Sequence, residues 1–396
     1  ILKKYLSFKK LLTCAALFYC LSGALFAFGM DEKALEWTDE SVKAIYNLDF
    51  DRAELFIARL EQANPDFPIA LFGKTMIQWS RFEYEYEKSN RAAANKFEES
   101  ISSSLNGIHT WLKNNPPDAY AYLALGGVYG VKGRFELANR SYLSAYFSGR
   151  KGLKYMNKAV KLNPQMYDAY LGQGVYQYYA GTLPAVVKIL AKLVISGNAD
   201  KGIKYLNLVM NKGRFCADSA KLLLVEIFIE SDKYYNPALA ARYIGQIIKK
   251  YPKNPLYKFV GIIAEYENKN YDKVIAAARD FLARIGKEKF YSPIYIARAY
   301  TAIGTAQMAK GQYAAAADTF ARSITATAAQ EPSRWQMWNM LRYAQVLDIS
   351  GRRAEALAIY NEIIRSKQNW GIDDIARPYL KKPYAAGVPL GHMSPP

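Results

Sequence analysis

Histidine carries much of the general acid–base and metal chemistry of proteins, and this 396-residue chain has two, His109 and His392. Neither has a second histidine at helical or loop spacing, so no Ser-His-Asp arrangement and no HExxH-type zinc site can be assembled. A CxxC pair is absent, and of Cys14, Cys20 and Cys216 only the last lies in the body of the chain. Cys216 falls in Gly213-Arg214-Phe215-Cys216-Ala217 at an expected helix start, where a small buried residue is the plain reading and a reactive thiol the rarer one. Gly126-Gly127 with Gly130 and Gly133 lacks the lysine and hydroxyl of a phosphate-cradling GxxxxGK[ST] loop. Glu83, Glu85 and Glu87 alternate, and helix residues two apart do not share a face, so they read as solvated charges rather than a paired-carboxylate site. Asp373-Asp374 suit a helix cap better than a metal. No catalytic, cofactor-binding or metal-ligating residue is assigned, no cofactor is expected, and the chemistry left is binding.

The elements that would position binding residues repeat themselves. One unit reads Ile303-Gly304, Gly311, Tyr313, Ala316 and Phe320, followed by Pro332. Offset by 40 positions, Gly351, Ala356 and Tyr360 restate Gly311, Ala316 and Phe320. An earlier unit gives Leu125-Gly126, Tyr129, Gly133, Ala138 and Tyr142. A large residue plus Gly on a first helix, Gly at a turn, then small and aromatic on a second helix resembles the tetratricopeptide repeat (TPR). The resemblance implies an all-α, TPR-like α-solenoid of antiparallel helix pairs. More narrowly, residues 167–232 resemble the Iml2/TTC39 family of TPR-like proteins, through Gly172-Gln173-Gly174, Leu183-Pro184, Lys188, Leu190, Gly197, Lys201-Gly202 and Leu206. The family's Gly-Asp-Arg-like turn is here Gly197-Asn198-Ala199-Asp200, and the resemblance bears on fold alone.

Pro and Gly punctuation divides the chain into 28–117 (irregular helices), 118–232 (a central region with inserted helices), 233–370 (regular repeats) and a Pro-containing tail, 371–396, expected to be loose. The central unit's second helix is expected to run through Tyr146, with a separate helix Gly149–Leu162, and an apolar helix is expected at Ala185–Ile195. Residues 1–27 differ from the rest. Lys3, Lys4, Lys9 and Lys10 precede an uncharged run from Leu11 to Phe28, with small residues Ser22, Gly23, Ala24 and Ala27 near its end. That order predicts an N-terminal signal peptide, cleaved near Ala24 or Ala27, and a periplasmic or envelope location. The alternative is an uncleaved anchor, the one case in which membrane contact is expected. Thr13 and Tyr19 before the cysteines exclude a lipoprotein site.

Charge is uneven. The chain is +18 overall, yet residues 31–118 carry 10 basic and 16 acidic residues. Residues 132–214 hold 14 Lys or Arg against Glu136, Asp168 and Asp200. Lys151, Lys154, Lys158 and Lys161 recur at helical spacing as a candidate basic face, beside the apolar Leu153, Met156, Ala159 and Val160. Nucleic acid is not expected for an exported chain; a lipid headgroup, wall polymer or acidic protein is the better match. First helices of a solenoid line a groove suited to an extended peptide or a helix. Its candidate residues are Tyr122, Tyr129, Tyr170, Gln173, Tyr176, Gln177, Arg298, Gln307, Arg342 and Gln345. The expected role is a protein–protein interaction module or scaffold in the envelope, with a protein or peptide partner. A structural subunit of an outer-membrane or wall-associated assembly is the alternative, and an envelope enzyme the least supported reading.

Overall fold

Polar residues cap the helices where backbone amides lack partners. Asp31, Asp49, Asp118, Asn198, Asn236 and Asn254 each accept a first-turn amide, and Ser333 and Gln336 bond each other's backbones as a capping box. The computed structural model describes residues 30–85, 91–139, 141–182, 197–330, 332–366 and 370–395. The signal segment 1–27, Leu183-Pro184 and the helix expected at Ala185–Ile195 lie outside the described residues.

Among the described residues every regular element is helical. In order they are α1 (Glu32–Tyr46), α2 (Phe50–Ala63), α3 (Pro68–Glu85), α4 (Arg91–Asn114), α5 (Ala119–Ala138), α6 (Tyr142–Leu162), α7 (Tyr170–Thr182), α8 (Ala199–Lys212), α9 (Ala217–Glu230), α10 (Pro237–Lys250), α11 (Pro255–Glu267), α12 (Tyr271–Arg284), α13 (Ile296–Ala309), α14 (Tyr313–Thr327), α15 (Arg334–Ile349), α16 (Arg353–Arg365) and α17 (Ile372–Ala376). Successive helices pair, and alternate ones such as α3 and α5, or α13 and α15, also touch. The molecule is an all-α, TPR-like solenoid of antiparallel helix pairs.

The repeat signature has a packing cause. A Cβ on Gly304 of α13 would lie 2.4 Å from the Phe320 ring of α14, so glycine makes room for the aromatic. Ala316 and Phe320 are fully buried, as are Ala356 and Tyr360 one repeat later. Gly311 and Gly351 take φ of +72° and +75°, the left-handed conformation that closes a helix cheaply only for glycine.

The central unit departs from the expected phase. Gly133 is not a turn but lies inside α5, which runs on to Ala138. A Cβ there would sit 3.3 Å from the Ala145 carbonyl of α6, so this glycine lets two long helices approach. Tyr142–Leu162 is one helix rather than two: Gly149 and the buried Gly152 both lie within it without breaking it.

The solenoid also folds back on itself. Tyr46 of α1 stacks on Tyr251 at 4.8 Å and shares a 2.5 Å hydrogen bond with Ser219 of α9. Asn254 donates to the Tyr46 carbonyl, and Arg214 pairs with Asp39 at 2.8 Å. Tyr84 at the end of α3 donates to the Phe290 carbonyl at 2.9 Å. The first layers thus rest on the middle ones, beyond the nearest-neighbour contacts of a simple solenoid.

The tail is not loose. Tyr384 and Met393 are buried, and residues 377–393 lie against α11, α13, α15 and α16.

Candidate functional site

The structure merges two candidate groups into one surface. Tyr122 and Tyr129 sit two turns apart on α5, and Tyr155 of α6 inserts between them. Its ring is nearly parallel to both, 6.1 Å from Tyr122 and 5.7 Å from Tyr129. Lys158 reaches 4.9 Å from the Tyr122 centroid and Lys151 5.4 Å from that of Tyr129, both within cation–π range. Lys154 and Lys161 on the same helix are solvent-exposed. α6 carries Arg150, Lys151, Lys154, Lys158 and Lys161 and no acid, so its field is positive along its length.

His109 of α4 stands edge-on to Tyr155 at 6.1 Å. Burial, then Lys113 and Lys151, hold its imidazole below the usual histidine range and keep it neutral. The Tyr155 phenol is pushed up by burial and by its two stacked neighbours. The next layer repeats the pattern with other residues. Lys201 lies 5.5 Å over Tyr205, Tyr205 packs at 5.3 Å on the candidate Tyr170, and Lys212 lies 5.2 Å over Tyr167. Tyr155, Tyr205, Tyr167, Lys201 and Lys212 are not among the binding candidates read from the sequence. Lys151, Tyr155 and Lys158 do fall at i, i+4 and i+7 of one face, a signal that was present.

Other candidates are committed elsewhere. Gln173 is buried and donates to Asn157, and the Gln177 side chain accepts the Asn198 amide. Tyr176 is half-buried, its phenol pushed up by burial and by Tyr146. Gln307 is buried and accepts from Thr319 at 2.7 Å. Arg298 lies over the rings of Tyr295, Trp335 and Phe259. Gln173 and Gln307 are thus buried and bonded within the chain, while Tyr176, Gln177 and Arg298 remain partly exposed.

Arg342 and Gln345 are committed in another way. Arg342 is 2% exposed, stacks on Trp338 at 4.6 Å and donates to Gln345. Its other donors go to the tail carbonyls of Leu390 (2.5 Å) and His392 (3.2 Å). Trp338 donates to the Met393 carbonyl at 2.8 Å, and the Tyr384 amide donates to Asp348 at 2.8 Å. Asp348 also takes Arg353 and the Tyr360 hydroxyl. His392 stands 3.2 Å from Glu267.

The residues screened for chemistry have structural partners. Glu83 stays exposed and pairs at 3.5 Å with the exposed Arg134. Partial desolvation by the surrounding protein raises its carboxyl, against the pull of Arg134. Cys216 is the N-cap of α9, and burial followed by the charge of Asp168 pushes its thiol well above the ordinary value, the opposite of an activated nucleophile. Asp168, which carries the loop before α9, accepts the amides of Arg214, Phe215 and Cys216 at 2.8–3.2 Å. Asp373 and Asp374 sit in the first turn of α17, whose N-cap is Gly371. Among the described residues no group of three or more His, Cys, Asp or Glu is placed to hold a metal, and no helix is long and apolar enough to cross a membrane.

Residues 301–369 match the tetratricopeptide repeat family model. No curated protein sequence matches the chain. Among solved structures, a tetratricopeptide repeat protein from Parabacteroides merdae is 12% identical, with 77% of this chain and 98% of that one covered at a TM-score of 0.43. A Rap protein complexed with Competence and Sporulation Factor is 10% identical over 89% and 97%, at 0.46. Yeast Tom70 is 10% identical over 89% of both chains, at 0.41. At such identities no neighbour's ligand transfers to this chain.

Proposed function

We propose that this chain is a protein-interaction module, and that its ladder of tyrosines and lysines on α5 to α8 docks an acidic segment of a partner protein in the cell envelope. The observation that carries the reading is the Tyr122–Tyr155–Tyr129 stack flanked by Lys151 and Lys158. Aromatic faces supply contact area at low entropic cost, while ammonium groups held beside them attract carboxylates. The match of residues 301–369 to a repeat family supports interaction over catalysis. The Lys3–Lys10 start and the apolar Leu11–Phe28 run support export. The approach of Gly174 and Gly202, with a Cβ on Gly202 2.8 Å from the Gly174 carbonyl, supports the narrower Iml2/TTC39-like variant of the repeat at residues 167–232.

The test is co-purification from envelope fractions with wild type and with Lys151→Glu, Lys154→Glu and Lys158→Glu combined. The wild type retains a stoichiometric protein at 0.1 M salt and loses it toward 1 M, as the Debye length falls from about 10 Å to about 3 Å. The triple variant keeps its melting temperature and loses the partner. Retention of the same partner by the triple variant at low salt sinks the ladder reading. Intact Leu11–Phe28 peptide in mass spectra of the native protein sinks cleavage.

A further inference from the structure

The tail segment 384–393 is held in a way that suits a ligand better than a structural element. Apart from the His392 side chain, which stands 3.2 Å from Glu267, its polar anchors to the helices act on backbone. Arg342 takes two carbonyls, Trp338 a third, and Asp348 an amide. Such bonds hold a backbone without reading its sequence, and the segment itself turns at Ala385–Val388. Side-chain selection falls to Tyr384 and Met393, nine positions apart, with Met393 fully buried among the core residues around α15.

Two observations show that the fit is incomplete. Arg342 is buried without a carboxylate partner, and its Nε has no hydrogen-bond acceptor, an uncommon state for a guanidinium. A cavity of about 320 Å³ remains between tail residues Tyr384, Val388 and Leu390 and the helix ends at Glu267, Met308 and Ile349. That space is open to solvent on one side, a cleft rather than an enclosed void. Gly387 and Gly391, at φ of +85° and +67°, turn the segment where it lines this space.

We propose that the groove of α11, α13 and α15 is an exchangeable peptide site, and that residues 384–393 are its tethered occupant. The partner it fits is a protein segment with an aromatic residue, a turn and, nine positions after the aromatic, a methionine. Its anchoring backbone replaces the tail's on Arg342, Trp338 and Asp348. Occupancy by the tail lowers the apparent affinity of a partner by the fraction of time the groove is closed. This surface is separate from the ladder on α5 to α8, so either reading stands without the other.

The test uses the full chain and a fluorescent peptide of residues 382–395, read by anisotropy, with a scrambled peptide as control. Met393→Ala weakens the tethered segment and leaves the groove intact, so the variant binds the free peptide at least tenfold more tightly than wild type. Tyr384→Ala does the same through the other anchor. Equal binding by wild type and by whichever variants retain a wild-type circular-dichroism spectrum overturns the proposal, as does equal binding of the scrambled peptide. Loss of fold in both variants overturns it too, because the segment would then be part of the core.

Discussion

The same substitution at two glycines has opposite consequences. Gly202 lies in α8, and a Cβ there would stand 2.6 Å from the Tyr178 amide nitrogen and 2.8 Å from the Gly174 carbonyl of α7. Both are backbone atoms, which cannot rotate aside, so the helices must separate. Gly245 lies mid-way along α10, and a Cβ there meets nothing within 4 Å. Replacing glycine by alanine inside a helix gains about 0.5–1 kcal/mol from backbone entropy. At Gly245 that gain stands alone. At Gly202 it is opposed by overpacking of about 1–3 kcal/mol, with the backbone contacts placing it toward the upper end. The net change is a loss of about 1–2 kcal/mol for Gly202→Ala and a gain of up to about 1 kcal/mol for Gly245→Ala. At about 2 °C per kcal/mol for a large domain, Tm falls by about 2–4 °C in the first and rises by about 1–2 °C in the second. Thermal melts followed by circular dichroism, with urea midpoints as a check, measure both. If Gly202→Ala melts with or above Gly245→Ala, the close approach of α7 and α8 is wrong.

Asp168→Ala strips three amides at the start of α9 of their acceptor, at a cost on the order of 3 kcal/mol, measured as a lower urea midpoint. Ala316→Leu costs about 1–3 kcal/mol because Ala316 is fully buried, and an unchanged melt means the repeat phase is misassigned. Partial desolvation, then Glu226, raises the carboxyl of the exposed Glu230, so the folded state holds that proton more tightly than the unfolded chain. Its contribution is favourable below the unfolded value and is lost as pH rises through the folded one. Glu230→Gln therefore melts above wild type at pH 7 and level with it near pH 4; a gain equal at both pH values refutes the assignment.

The sequence by itself determined the architecture of the C-terminal half. Gly311 and Gly351 are legible because a positive φ admits few other residues, and Ala316/Phe320 and Ala356/Tyr360 because a close helix crossing demands small against large. Pro237 and Pro255 mark helix starts since each stands at a first-turn position that needs no amide donor. The same reasoning went astray at Gly133, because glycine serves a turn and a close helix approach equally well, and only the path of α6 decides between them.

Everything depending on residues far apart in the chain was decided by tertiary structure. Tyr46 closes on Ser219 and Tyr251, and Tyr84 on Phe290, at separations no local pattern encodes. The carboxylate of Glu83 faces Arg134 for the same reason. Helical periodicity showed which residues share a face of α6, but the interleaving of Tyr155 with Tyr122 and Tyr129 required the register between two helices. The tail's prolines suggest looseness, since they disfavour regular structure. Its order comes instead from Arg342, Trp338 and Asp348, whose hydrogen bonds go to backbone groups that every sequence carries, so no residue in the tail announces them.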